Sequence, residues 1–202
     1  MPVPLLFHFD FISPYGYFAS LRIEDMAARH GREVDWRPML LGVAVLKVMG
    51  LKPLLDTPLK GDYVRRDVHR YARRHGVPLG RSLDASIGNP LPAARGFYWV
   101  RRHHPHLQAA MAHAIYHAFW AQGRDLSTPE ALAAIDLPPG LAAAALAEGA
   151  ASEEAASMLR SAVASATAAG VFGSPMVVVD GEPFWGVDRL DEAEDWLARG
   201  GW

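Results

Sequence analysis

Ser13 stands where this chain could hold a reactive group. It lies in FHFDFISPYGYF, Phe7–Phe18, where an apolar alternation runs into Ser-Pro and then into a helical pattern. A serine followed by proline at such a junction reads as an N-cap and the first helical residue, and the cap alone contributes ~1 kcal/mol. The same helix N-terminus presents unpaired N–H donors and the positive end of a dipole, which favour a bound anion. A hydroxyl added there can donate to a thiolate and lower its pKa. A serine-hydrolase role does not fit, because no G-x-S-x-G elbow surrounds Ser13.

Two distant stretches add to this. In GVFGSPMVVVDGE, Gly170–Glu182, Pro175 directly precedes a β-branched run, which suits the first residue of a strand or a sheet edge. A cis Ser174–Pro175 bond would turn the Ser174 backbone toward whatever lies beside Ser13; the sequence leaves cis and trans both open. In GVDRL, Gly186–Leu190, Asp188 reads either as an N-cap or, with Arg189, as a charged pair for the ammonium and carboxylate of a zwitterionic ligand.

Other polar clusters point elsewhere. His103, His104 and His106 flank Pro105 with no carboxylate at ligand spacing, and read as surface or helix-end histidines. His113 and His117 are four apart but lack the glutamate of H-E-x-x-H. The arginines between residues 65 and 74 read as a solvated helix face, and Trp99, Trp120, Trp185 and Trp196 as core or pocket wall.

The elements that must position these residues follow from periodicity. Leu5, Phe7, Phe9 and Phe11 share one face of a strand. A helix runs from about Pro14, with Ala19, Ile23, Met26 and Ala27 on one side, to Gly31. Val34 and Trp36 mark a second strand closed by Pro38, so the opening is β-α-β, a parallel connection. From about Leu41 to Ala169 the pattern is helical, broken by Pro and Gly. Val64, Val68, Tyr71 and Ala72 line one such helix, Thr128-Pro129 start another, and a third runs from Ser152 to Gly170. The alanine-rich stretch Leu141–Ala151 also reads as helical. SPMVVVD, a turn at Asp180-Gly181 and EPFWG then form a hairpin, and Leu190, Ala193 and Leu197 mark a closing helix. The expectation is an α/β unit from residues 1–40 and 170–202, with an all-helical insertion at 41–169.

Composition narrows the function. With 20 basic against 22 acidic residues the chain offers no electrostatic footprint for nucleic acid. No apolar run approaches the ~20 residues needed to cross a bilayer. The start MPVPLLFHFDF lacks a basic n-region, so a cytoplasmic location is expected. The chain has no cysteine, which removes disulfides, thiolate nucleophiles and cysteine metal sites together. Any sulfur chemistry must use sulfur from outside, and a disulfide oxidoreductase is excluded.

FDFISPYGYFAS, VDWRPMLLGVAVLKVMG, KGDYVRRDVHRYARRHGVP, FWAQGRDLSTPEALAAI and GVFGSPMVVVDGEPFWGVDRLDEAEDWL, in this order, resemble the 2-hydroxychromene-2-carboxylate isomerases. These are glutathione-dependent enzymes allied to kappa-class glutathione transferases and to the DsbA-type thioredoxin fold with a helical insertion. The resemblance spans about Leu5 to Leu197. It implies that Ser13 stands at the first cysteine of a thioredoxin-type C-x-x-C, its hydroxyl bonded to the sulfur of glutathione or another low-molecular-weight thiol. It implies that Pro175 is cis, that the Ser174 backbone meets the cysteinyl part, that Asp188 and Arg189 contact the γ-glutamyl end, and that Lys60 reaches the glycyl carboxylate. Tyr15 and Asn89 would face a small aromatic substrate. The implied reaction is cis/trans isomerisation of an aromatic pyruvate derivative through reversible thiolate addition, rotation and elimination, in a homodimer. A kappa-like transferase or peroxidase and a non-catalytic binding module are the alternatives. Leu51, Val187 and Ser174 depart from the family pattern.

Overall fold

The phenylalanine alternation builds the central strand. In the computed structural model, which describes residues 3–202, β1 spans Leu5–Phe9, with Leu5, Phe7 and Phe9 fully buried. Helix α1, Pro14–Arg29, buries Ala19, Ile23, Met26 and Ala27 and gives way at Gly31, whose φ of 64° is left-handed. Strand β2, Val34–Pro38, runs parallel to β1 with Trp36 beside Phe7; the two rings meet edge-on at 5.1 Å. The first two residues of the expected 1–40 unit lie outside the described residues.

Between Pro38 and Met176 the described residues form helices and no strand. The main ones are α2 (Lys60–His75), α3 (Leu91–His103), α4 (Gln108–Tyr116), α5 (Pro129–Ala133), α6 (Ala143–Ala151) and α7 (Glu153–Ala168). Thr128 and Ser152 cap α5 and α7 through their side-chain oxygens. In α2, Val64, Val68 and Ala72 face inward while Arg66, Arg70, Arg73 and Arg74 face water. Two stretches are wound more widely, as π-helical turns at Gly42–Val48 and His117–Ala121; the periodicity gave no sign of them.

The hairpin forms as its turn residues dictate. Asp180 and Gly181 both take positive φ, 50° and 97°, the geometry of a two-residue primed turn between β3 (Met176–Val179) and β4 (Glu182–Trp185). β3 pairs antiparallel with β1, so the strand order is β2-β1-β3-β4. Helix α8, Leu190–Arg199, packs Leu190 and Ala193 against this sheet and α1. One apolar cluster runs through sheet and helices alike, from Phe9 and Trp36 to Leu132 and Leu146.

Two open readings are resolved. Asp188 does not cap α8: it sits inside a 3-10 turn, Val187–Arg189, and α8 begins at Leu190 without a side-chain cap. Of core and pocket wall, Trp185 takes the second: it is 55 % exposed, lines an open pocket with Trp196 and meets half-exposed Phe172 edge-on at 4.9 Å. Its strand lies at the sheet edge, so its alternation does not bury it.

Candidate active site

Ser13 is built into the site by its own helix. Its backbone N–H donates to the Asp10 carbonyl at 3.0 Å, its Oγ accepts from the Gly16 N–H at 3.0 Å, and its carbonyl accepts from Tyr17. Pro14 has no N–H, so the Tyr15 amide is the one in the first turn that no described residue caps. Only 4 % of Ser13 is exposed.

The hydroxyl hydrogen of Ser13 points across the site. Ser13 Oγ donates to the Ser174 carbonyl at 3.0 Å, and the Ser174–Pro175 bond is cis. Returning from that loop, Ser174 Oγ accepts from the Asp10 N–H at 2.9 Å. The Pro175 carbonyl accepts from the Gly186 N–H at 3.0 Å, and the Gly186 carbonyl from Arg189 at 3.2 Å. Ser13 therefore meets Ser174 directly, and the Asp188-Arg189 turn is joined to the neighbouring Pro175 through Gly186.

Gly16 shows how closely the parts approach. A Cβ on Gly16 would lie 2.6 Å from the Tyr116 hydroxyl and 2.9 Å from Ser174 Oγ. The Tyr116 hydroxyl donates to the Asp10 carbonyl at 3.1 Å, and Trp120 Nε1 to the Phe11 carbonyl at 2.9 Å. Tyr116, the last residue of α4, and Trp120 in the π turn that follows thus both reach the β1–α1 loop.

Asp10 is the residue that sequence reasoning missed. It is 2 % exposed, and its carboxylate accepts from the Leu41 N–H at 2.7 Å and the Ile12 N–H at 3.2 Å. Burial pushes its pKa up to about 6, against the lowering effect of those backbone donors. The available signal was an acid between two core phenylalanines, where a charge survives only with dedicated partners.

The remaining predicted residues lie further out. Tyr15 is partly buried and donates to Asp67 on α2 at 2.7 Å; burial, then Asp67, raises its pKa. Lys60 is exposed at the first residue of α2 and makes no hydrogen bond to Ser13 or Ser174 among the described residues. Asn89 is exposed and engaged in its own loop, accepting from the Leu91 N–H at 3.1 Å and donating its N–H to Ser127 Oγ at 2.9 Å. Asp188 and Arg189 are largely exposed and 3.7 Å apart, and Arg189 also pairs with Glu192.

A mixed sheet ordered β2-β1-β3-β4, with a cis-proline facing a helix N-terminus, defines a thioredoxin-like domain; the long helical segment between β2 and β3 makes it the DsbA type. The model of the DSBA-like thioredoxin domain matches residues 5–198, and the chain belongs to that family, among its 2-hydroxychromene-2-carboxylate isomerase members. It is 33 % identical over 192 residues to a 2-hydroxychromene-2-carboxylate isomerase of Sphingobium xenophagum, covering 95 % of this chain and 96 % of that one. A protein of the same name from Pseudomonas putida is 28 % identical, with 96 % and 93 % covered. The solved structure of a 2-hydroxychromene-2-carboxylate isomerase superposes with a TM-score of 0.82 at 25 % identity over 98 % of this chain and 95 % of that one. A probable DsbA oxidoreductase of Streptomyces coelicolor shares the fold, with a TM-score of 0.77 at 19 % identity, over 97 % and 88 %.

Proposed function

We propose that the chain is a glutathione-dependent isomerase acting on 2-hydroxychromene-2-carboxylate or a similar aromatic pyruvate derivative. The observation that carries this reading is the Ser13–Ser174 contact at an α-helix N-terminus, in a chain similar over 95 % of its length to a named isomerase. No helix among the described residues is long and apolar enough to cross a membrane, which accords with a cytoplasmic enzyme on a small soluble substrate.

The donor set suits a thiol tripeptide. The Ser13 hydroxyl and the uncapped Tyr15 amide can both face a sulfur anion at the positive end of α1. When Ser13 turns its hydroxyl from the Ser174 carbonyl to that sulfur, the carbonyl becomes free to accept a peptide N–H. Asp188 and Arg189 offer an acceptor and a guanidinium fork for a zwitterionic end. Lys60 offers an ammonium for a carboxylate. A bound thiolate supplies a nucleophile that adds to a conjugated double bond and leaves again after rotation.

The chain's own work is to keep that thiolate ionised, to orient it and to hold the aromatic acceptor beside it. Tyr15 and the exposed Phe172–Trp185 pair, of which Phe172 is two residues from Ser174 along the chain, provide aromatic surface for the acceptor. Leu46, Val48, Leu51, Leu54 and Leu59 are exposed apolar residues on one short segment, which supports a homodimer. Thiolate absorbance during a glutathione titration tests the reading. The wild type should raise it and Ser13→Ala should not, and equal curves would sink the assignment. Parallel assays on 2-hydroxychromene-2-carboxylate and on a chlorinated nitroaromatic separate isomerase from transferase.

A further inference from the structure

The second face of the sheet carries a polar pair that the Ser13 site does not use. Strand register sets His8 of β1 beside Arg37 of β2, with Met176 of β3 on its other side. His8 is 4 % exposed, and its Nδ1 is buried without a hydrogen-bond partner. Buried polar groups in folded proteins nearly always have a partner, so the position calls for an explanation.

A cavity of about 410 Å³ opens over this pair, between the strands, α3 and α7. Arg37, Arg101 and Arg102 line it on one side, and Ser161 and Ser165 of α7 on the other. Asp35, behind them, accepts from Arg37 at 2.7 Å and from Arg101 at 2.8 Å, so one carboxylate holds two guanidinium groups side by side. Arg101 is fixed further by donating to the Trp36 carbonyl at 2.6 Å. Three guanidinium groups against one carboxylate leave a surplus of positive charge. Each guanidinium has five N–H donors, most of which Asp35 and Trp36 do not occupy. The orientation of Arg37 and Arg101 is set before any ligand arrives.

We propose that this cavity is a second ligand site, which takes the carboxylate or phosphate group of a small organic anion against Arg37, Arg101 and Arg102. Met158 and Ala162 offer an apolar wall for the rest of the ligand. His8 donates to the bound oxygens from the cavity floor. None of Ser13, Ser174, Pro175, Asp188 or Arg189 lines this cavity, so the site stands whatever becomes of the thiol reading.

His8 reports on occupancy. The charged groups around it are Asp35 and Arg37 from β2 and Arg101 and Arg102 from α3; the α7 wall contributes serines and β3 contributes Met176. Burial and then Arg37 hold its pKa down to about 4, and an anion between the arginines must raise it.

The experiment follows the His8 ring by NMR in the full chain while inorganic phosphate or benzoate is added. The expected result is a saturable shift of the His8 signals with a raised pKa. Arg102→Glu, at an exposed position, should weaken it about tenfold or more without changing the melting temperature. Ser13→Ala should leave it intact. A response to phosphate alone assigns a phosphate ester, and a response to benzoate alone a carboxylate. No saturable response to either anion, an unchanged response in Arg102→Glu, or loss in Ser13→Ala would each overturn the proposal.

Discussion

The Ser13 hydroxyl donates to the Ser174 carbonyl at 3.0 Å, joining residues 161 positions apart in the chain. The same oxygen caps α1 through the Gly16 N–H. Cap and cross-link therefore share one atom, and Ser13→Ala removes both. A loss of about 1–2 kcal/mol is expected, or a few degrees in melting temperature for a chain of this size. Glutathione-dependent turnover should fall far more steeply than this modest loss of stability. Calorimetry and a turnover assay on the same sample make the comparison.

Gly16→Ala should behave against helix propensity. Alanine in a helix interior is ordinarily favoured over glycine by about 1 kcal/mol. Here the new methyl would lie 2.6 Å from the Tyr116 hydroxyl and 2.9 Å from Ser174 Oγ. Overpacking at such distances costs about 1–3 kcal/mol, so the net sign is destabilising. Combining it with Tyr116→Phe should recover part of the loss in denaturant melts, and simple additivity of the two changes would contradict the geometry.

Asp10 links stability to pH. Its folded pKa of about 6 lies above the ordinary 3.8, so the native state holds its proton more firmly than the unfolded chain. That contribution is complete below about pH 4 and is lost as pH rises through about 6. Asp10→Asn has no such proton to lose. The stability difference should move in favour of the asparagine variant by on the order of 3 kcal/mol between pH 4 and pH 8. Parallel pH curves for the two proteins would refute this.

Asp188→Ala and Arg189→Ala test the ligand end of the site. Both side chains are largely exposed, so melting temperature should stay constant. On the proposed glutathione reading, the KM for glutathione should rise about tenfold or more, with a smaller effect on kcat, since these contacts would serve binding rather than the reacting atoms.

Much of this arrangement was legible in advance where a single local rule dominates. Alternating phenylalanines specify β1, Ser-Pro specifies the start of α1, and Asp180-Gly181 specifies the hairpin turn. The Ser13 cap was readable because Ser-Pro at the end of a strand fixes it locally. Asp10 was not, because one of its two donors is the amide of Leu41, which only the fold brings near. The isomer of Ser174–Pro175 was likewise open in sequence, since both isomers suit a proline ahead of a strand. Trp185 stayed open between core and pocket wall because composition does not tell an edge strand, with half the cover, from a central one. Of the two readings of Asp188 the cap fails, because a 3-10 turn intervenes before α8.

The Leu41 amide that satisfies Asp10 is also the threshold of the helical segment. A shortened variant in which a brief linker replaces that segment would strand a buried acid with a single amide partner, and would lose the hydroxyl of Tyr116 and the indole of Trp120 from the same loop. Chimeras that graft helices from a relative onto this sheet therefore need to carry residue 41, residue 116 and residue 120 as one transferable set with position 10. Breakpoints for recombination are better placed in the exposed turn at Asp180-Gly181 than at either edge of the helices.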